Sequence, residues 1–281
     1  MNIRPGLTAN LAAHPISRTV VVLFIVLTIY PVLFVLNTSF KSTAEFFVNV
    51  WGLPKNVHAI NYPKAWLDAH IGEYFLNSSI VVGISVLFIV IFGAMAGYAL
   101  ARLHVPFASG IMFLILSTTM LPSESAIMPL YIMMSRLHMI GELHSLIIPY
   151  IGWGLPMTVF IFRSFFRTLP EELLEAARVD GCNETKTFYR ITVPLMLPAI
   201  ATCAIFNFVS FWGELLWGSI ALSTSPLKTI PMGVIAFKSQ FATDWGPLSA
   251  AICLVLIPLV AMFLFVQKYF VQGLTGGAVK G

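Results

Sequence analysis

Six stretches of this chain, residues 19–36, 77–101, 105–123, 145–162, 191–213 and 245–267, carry no Asp, Glu, Lys or Arg. At about 1.5 Å per helical residue, runs of roughly 18 residues or more cross most of a ~30 Å hydrocarbon layer. Residues 80–92 are apolar on every face, whereas the strands of a membrane β-barrel alternate apolar and polar positions. The pattern predicts an all-α polytopic protein with six transmembrane helices.

Between these runs the polar residues define three regions. Residues 1–76 hold an N-terminal segment, the first helix and a long outer loop from 37 to 76, in which Trp51, Pro54, Pro63 and Trp66 suggest a partly ordered lid. Residues 77–270 form a core of five helices, and 271–281 a polar tail. The first apolar run follows Arg4 and Arg18 but is long, lacks a small-residue cleavage site and precedes five more, so it reads as an uncleaved helix.

The segment from Arg163 to Arg190 between the fourth and fifth runs is unusually charged. Thr168-Leu169-Pro170-Glu171 has capping-box spacing, with proline placed for a first helical turn. Glu171, Glu172 and Glu175 suit the positive end of that helix, Leu173, Leu174 and Ala177 give it an apolar stripe, and Gly181 can end it in the left-handed conformation. Asn183 is placed to cap a second short helix. The expected product is a helical hairpin whose helix, at about 11 residues, is too short to be stable alone.

Composition agrees with the pattern: 58% of residues are hydrophobic and 10% charged, against about 25% charged in soluble domains. The net charge of +4 reads as topology, and no nucleic-acid partner is expected. With the N-terminus inside, Arg4, Arg18, Arg102, Arg163, Arg167, Arg178, Lys186, Arg190, Lys268 and Lys280 lie inside. Lys41, Lys55, Lys64, Arg136, Lys228 and Lys238 lie outside, so the excess favours two cytoplasmic termini.

Chemistry-bearing residues are few. Glu124, between Pro122 and Pro129, interrupts the third run, where a central charge costs about 2.5–3.5 kcal/mol. It lies either on a wet pathway or at the outer interface. Glu214, Asn207 and Trp212 cluster at the end of the fifth run and, with Glu124, are the candidate solute-path residues. An interfacial belt or plain packing accounts for Tyr150, Trp153 and Trp217. The histidines are scattered, with none of the His-Glu-x-x-His spacing of a zinc site, and Cys182, Cys203 and Cys253 suggest no disulfide. No metal or catalytic residue is expected. The chain contains no Gly-x-x-x-x-Gly-Lys-Ser/Thr phosphate loop, so it cannot hold ATP phosphates as a Walker-type enzyme would; if it carries out active transport, the energy comes from another polypeptide or an ion gradient. An ion-coupled secondary transporter would use paired broken helices and intramembrane acids, for which only Glu124 and Glu214 offer themselves.

The charged segment resembles the EAA loop of ABC-importer permeases. The matching residues are Glu175-Ala176-Ala177-Arg178-Val179-Asp180-Gly181, followed by Phe188 and Ile191-Thr192-Val193-Pro194-Leu195; Cys182 stands where the family usually has alanine. The sequence from Gly273 through Val279, Lys280 and Gly281 is similar to the tail of maltose-type carbohydrate importers. Asn77-Ser78 and Tyr98-Ala99-Leu100-Ala101-Arg102 echo the same family. The resemblance implies a type I ABC importer permease in a bacterial inner membrane, paired with a second homologous permease. Its other partners would be two cytoplasmic ATPases, which use ATP and Mg, and an extracytoplasmic solute-binding protein; this chain would bind no cofactor. It also implies that residues 168–198 form the coupling loop, with Glu175 meeting a basic group, Ala176 and Ala177 allowing close seating, and Asp180 and Gly181 making the turn. The implied solute is a sugar or oligosaccharide; the same scaffold also suits glycerol phosphate or a polyol.

Overall fold

The structure, a computed structural model, describes residues 15–237 and 243–278. Its main helices are α1 (Pro15–Ser39), α2 (Ile71–Arg102), α3 (Ala108–Ser117), α4 (Ile127–Arg136), α5 (His144–Thr168), α6 (Glu171–Val179), α7 (Leu197–Trp212), α8 (Leu216–Ala221), α9 (Ile230–Ala236) and α10 (Trp245–Ala278). Within α1, α2, α5 and α10 lie four segments long and apolar enough to span a membrane. Two bent pairs, Ala108–Met120 with Ser123–Arg136 and Glu184–Leu195 with Leu197–Trp212, bring the number to six when each pair is counted as one broken span.

Both bends have a sequence cause. The first, of 91°, falls at Leu121-Pro122, where proline disfavours a helical residue before it and cannot donate the next hydrogen bond. Leu121 is extended at φ −84°, ψ 129°, and Pro122 continues so. The bent pair from Ala108 to Arg136 is therefore broken near its middle, at the end of the third charge-free run, with Glu124 on the turn just beyond the break. The second bend, of 74°, follows a π-helical turn at Phe188–Thr192 and sits between Pro194 and Pro198.

The chain divides into two compact units. The first joins the residues up to His70 with Ala236–Leu254. Here the outer loop is ordered: Lys41 is fully buried, and its ammonium donates to the carbonyls of Asn49 at 2.8 Å and Val50 at 3.1 Å. The Asn61 amide donates to the carbonyls of Ser39 and Lys41, both at 2.8 Å. Phe46 stacks on Trp245 with centroids 4.9 Å apart.

The second unit, Ile71–Ile235 with the chain from Val255 onward, holds the candidate site and is built on the pairing of α2 with α5. Gly93 and Gly97 put two bare positions on one face of α2, and that face meets α5 of the same chain. A Cβ at Gly93 would lie 2.7 Å from Thr158 Cγ2; one at Gly97 would lie 2.9 Å from Phe162 Cβ and 3.0 Å from the Arg163 backbone nitrogen. Two arginines staple one end of the pair. The Arg102 guanidinium donates to the Phe166 carbonyl at 2.6 and 3.0 Å and to that of Leu169. Arg163 Nε donates to the Leu100 carbonyl at 3.2 Å. Carbonyls at a helix end lack partners within their own helix, so Arg102 satisfies groups that α5 leaves open.

At the opposite end of the pair, Asn77 Nδ2 donates to the Lys228 carbonyl at 3.0 Å, and Ser78 Oγ accepts from the Ile230 backbone at 2.9 Å. The Asn-Ser pair near the start of the second apolar run thus pins the segment 225–230 to α2. In the last helix no break occurs at 270: α10 is continuous for 34 residues to Ala278. Val279, Lys280 and Gly281 lie outside the described residues.

Because the obstacle at Gly97 includes backbone, Gly97→Leu should cost about 1–3 kcal/mol through forced displacement. Gly83→Ala on the same helix meets no atom within 4 Å and should be neutral or slightly stabilising. Thermal unfolding of the purified complex in detergent distinguishes the two; equal melting temperatures would show that the α2 to α5 contact is not close.

Candidate functional site

The charged segment folds as the hairpin its pattern predicts, with one change at its start. Thr168 is the last residue of α5, and its hydroxyl donates back to the Phe165 carbonyl at 2.8 Å. It is therefore unavailable to cap α6, whose N-cap position is Pro170 without a side-chain bond. No capping box forms. The other end is as expected: Gly181 has φ 79°, the Cys182 nitrogen donates to the Ala177 carbonyl at 2.9 Å and the Gly181 nitrogen to that of Arg178 at 3.0 Å. These two bonds are the Schellman closure of a helix. Asn183 Oδ1 then accepts from the Lys186 backbone at 2.9 Å and caps the next turn.

The nine residues of α6 sort cleanly by exposure. Leu174 and Ala177 are buried, while Leu173, Glu175, Ala176, Val179, Asp180 and Gly181 are exposed. The single apolar stripe of Leu173, Leu174 and Ala177 is thus divided, and Ala177 faces the protein interior and not a partner. Phe188 is also buried, with its ring centroid 5.1 Å from that of Tyr98 and 6.3 Å from that of Phe166. It seats the loop on α2 and α5. Ile191 is half-buried and Pro194 exposed.

A polar link joins the hairpin to the helix pair. The Arg178 guanidinium donates to Glu184 Oε1 at 3.0 Å, and the hydroxyl of Tyr98, a buried residue of α2, donates to Glu184 Oε2 at 2.9 Å. Sequence reasoning missed this chain because Arg178 and Glu184 flank a turn whose geometry must be known before the pair can be drawn.

The candidate solute-path residues separate into two groups. Glu124 and Glu214 line one cavity of about 290 Å³ together with Trp153, Ser210 and Phe211. Glu124 is exposed. Glu214 is held: its carboxylate accepts from the Tyr150 hydroxyl at 2.6 Å and from the backbone nitrogens of Trp217 at 2.7 Å and Gly218 at 3.1 Å. A carboxylate at the start of α8 satisfies open N–H groups and faces the positive end of the helix, which fixes it in place. Asn207 is 7% exposed and borders a neighbouring cavity. Its amide donates to Thr158 Oγ1 at 3.0 Å and to the Cys203 carbonyl at 2.8 Å.

Trp212 is not among these lining residues. It is 2% exposed, donates from Nε1 to the Val255 carbonyl at 3.1 Å and stacks on Phe208 with centroids 5.1 Å apart. Tyr150 and Trp217 are equally buried, at 1% each, in the core of this unit, so of the two expectations packing, not a belt, describes them. Trp153 alone of the four aromatic residues is partly open. Among the described residues no cluster of His, Cys, Asp or Glu is arranged to hold a metal ion.

The fold and the hairpin together have the form of a transporter membrane component, and comparison with known proteins agrees. Residues 89–276 match the family described as "Binding-protein-dependent transport system inner membrane component". The chain belongs to that family and is an ABC transporter permease. It is 34% identical over 259 residues to the probable ABC transporter permease protein YurM of Bacillus subtilis (strain 168), covering 92% of this chain and 86% of that one. It is 35% identical over 268 residues to the diacetylchitobiose uptake system permease protein NgcG of Streptomyces coelicolor, covering 94% and 88%. It is 33% identical over 252 residues to the melibiose/raffinose/stachyose import permease protein MelC of Bacillus subtilis (strain 168), covering 89% and 91%. In fold it resembles a chain of a bacterial ABC transporter involved in the import of the acidic polysaccharide alginate. That likeness has a TM-score of 0.77 at 20% identity and covers 96% of this chain and 99% of the other.

The geometry separates the two acids in a testable way. Glu214→Ala would strand the Tyr150 hydroxyl and two backbone N–H groups, at about 1–3 kcal/mol for each that finds no water. Glu124→Ala strands nothing. Thermal unfolding should show a marked loss for the first and little change for the second; equal losses would refute the structural role given to Glu214.

Proposed function

We propose that this permease forms, with a second homologous permease, the translocation pathway for a sugar or oligosaccharide delivered by an extracytoplasmic binding protein. Two cytoplasmic ATPases dock on α6 and use ATP and Mg; this chain hydrolyses nothing itself. Both termini are cytoplasmic, in keeping with the excess of Lys and Arg on that side. The observation that carries the coupling role is the presentation of α6. Leu173, Glu175, Ala176 and Val179 are turned outward, while Leu174, Ala177 and Phe188 hold the helix on the transmembrane bundle. Packing of its inner face stabilises a helix this short, which leaves the outer face free to meet a partner. The carbohydrate assignment is supported by relatives whose names specify uptake of diacetylchitobiose and of melibiose, raffinose and stachyose.

In this reading Glu175 meets a basic group on the ATPase, Asp180 and Gly181 set the turn, and Ile191 and Pro194 carry the chain back into α7. The terminal Val279, Lys280 and Gly281 reach toward the ATPases. At Gly181 a side chain would have open space, so the penalty for substitution is that of the left-handed backbone, about 1–2 kcal/mol and more for a β-branched residue.

The test is reconstitution of the full complex with its binding protein and a sugar panel. Gly181→Val should misdirect the hairpin, and Glu175→Lys should place like charges in a partly desolvated contact. Each should reduce coupled uptake at least tenfold while leaving the amount of permease in the membrane unchanged. Wild-type uptake and stimulated ATP hydrolysis in both variants would remove the hairpin from the coupling path.

A further inference from the structure

Three neighbouring cavities follow α5, and one side chain belongs to all of them. The cavity shared by Glu124 and Glu214, the one bordered by Asn207, and a larger one of about 930 Å³ under the break after α3 are each lined by Trp153. Ser123 and Glu124 join the first to the largest, and Ser210 and Phe211 join the first to the one beside Asn207. The indole is therefore a wall common to a recess of three adjoining cavities. Its depth argues against an interfacial anchor: Trp153 is nine residues past the start of α5, about 14 Å along the helix at 1.5 Å per residue. That is near the middle of a ~30 Å core and not at the headgroup level where belt tryptophans sit. Tyr150 and Trp217 flank the ring at 5.9 and 6.4 Å between centroids, and the Trp153 side chain remains partly exposed.

The acids around the ring offer acceptors, and the Ser123 hydroxyl can donate or accept. The Glu124 carboxylate makes no hydrogen bond or ion pair among the described residues, the Ser210 hydroxyl has already committed its proton to the Phe206 carbonyl at 2.8 Å, and the Glu214 carboxyl oxygens accept from Tyr150, Trp217 and Gly218. Among the described residues no Lys, Arg or His lines any of the three cavities. An anionic solute would lose its hydration there without gaining a cation, and would face two acids. A neutral sugar offers hydroxyl donors to those acceptors and an apolar C–H face to the indole, the combination of apolar wall and few convergent polar groups typical of small-molecule sites.

We propose that this recess is a solute station within this chain, in which Trp153 stacks on an uncharged sugar ring and Glu124 accepts its hydroxyls, selecting neutral over anionic sugars. The proposal rests on the carbohydrate-import reading and adds a site and a charge preference to it.

The experiment uses the reconstituted complex in a variant with Cys182, Cys203 and Cys253 replaced, carrying Ser210→Cys as a reporter of the recess. A small thiol reagent is applied during turnover with binding protein and ATP, with or without melibiose, raffinose or diacetylchitobiose, and separately with sulfoquinovosyl glycerol. The sugar that the unmodified complex transports should slow labelling at least fivefold, and the anionic sugar should not. In parallel, Trp153→Ala should lower uptake at least tenfold and Trp153→Phe, which keeps a flat ring, by no more than threefold. Absence of protection by a transported sugar would overturn the station while leaving the importer reading intact, even if Trp153→Ala failed to assemble. Equal uptake by all three forms would do the same, and protection by the anionic sugar would overturn the charge preference. Failure of the unmodified complex to transport any neutral sugar would overturn the carbohydrate reading and the station with it.

Discussion

The close approach of α2 to α5 is the constraint on which the rest of this permease depends. It requires Gly93 and Gly97, since a methyl group at either would enter the space of Thr158, Phe162 or the Arg163 backbone. Between apolar helices in lipid there is little hydrophobic drive to associate, so contact distance and polar pairing must supply the stability. Small residues provide the distance, and Arg102 and Arg163 provide the pairing by closing open carbonyls across the two helix ends. The tightness has two consequences. At one end the pair forms the floor on which Phe188 and Tyr98 seat the hairpin; further along, α5 presents Trp153 to the recess.

Much of this was legible in the chain because the bilayer imposes a simple rule on sequence. Each of the six charge-free runs corresponds to a helix or a bent pair of helices, since an unsatisfied backbone in hydrocarbon is costly and only a helix satisfies itself. The hairpin was legible for a different reason: Gly181 and Asn183 are local devices whose geometry is fixed by one or two residues. The capping box at Thr168 failed because it is a local signal with two claimants, and α5 extends far enough to claim the threonine for its own last turn.

The solute path was less legible because burial among apolar neighbours leaves no trace in sequence spacing. Trp212 and Trp153 look alike in the chain, each near polar residues in an apolar run. One is packed against Phe208 and bonded to Val255, and the other lines open space. Glu214 likewise looked like a solute ligand, while its oxygens are occupied by Tyr150 and the start of α8. Of the two acids, Glu124 combines a position beside a helix break with an unoccupied carboxylate, and proline at the break made that much visible.

Tyr98 connects the hairpin to the helix pair. Its ring packs with Phe166 and Phe188, and its hydroxyl reaches Glu184, which in turn holds Arg178 on α6. In the proposed coupling role, this is the contact through which movement of the hairpin would reach the helix pair that borders the recess. The most direct measurement is the number of solute molecules imported per ATP hydrolysed by the reconstituted complex carrying Tyr98→Phe, which keeps the ring packing and removes only the bond to Glu184. A severalfold fall in that ratio, with ATP hydrolysis still stimulated by the binding protein, is the expected result. An unchanged ratio would contradict the claim that the hairpin drives the pathway through this contact.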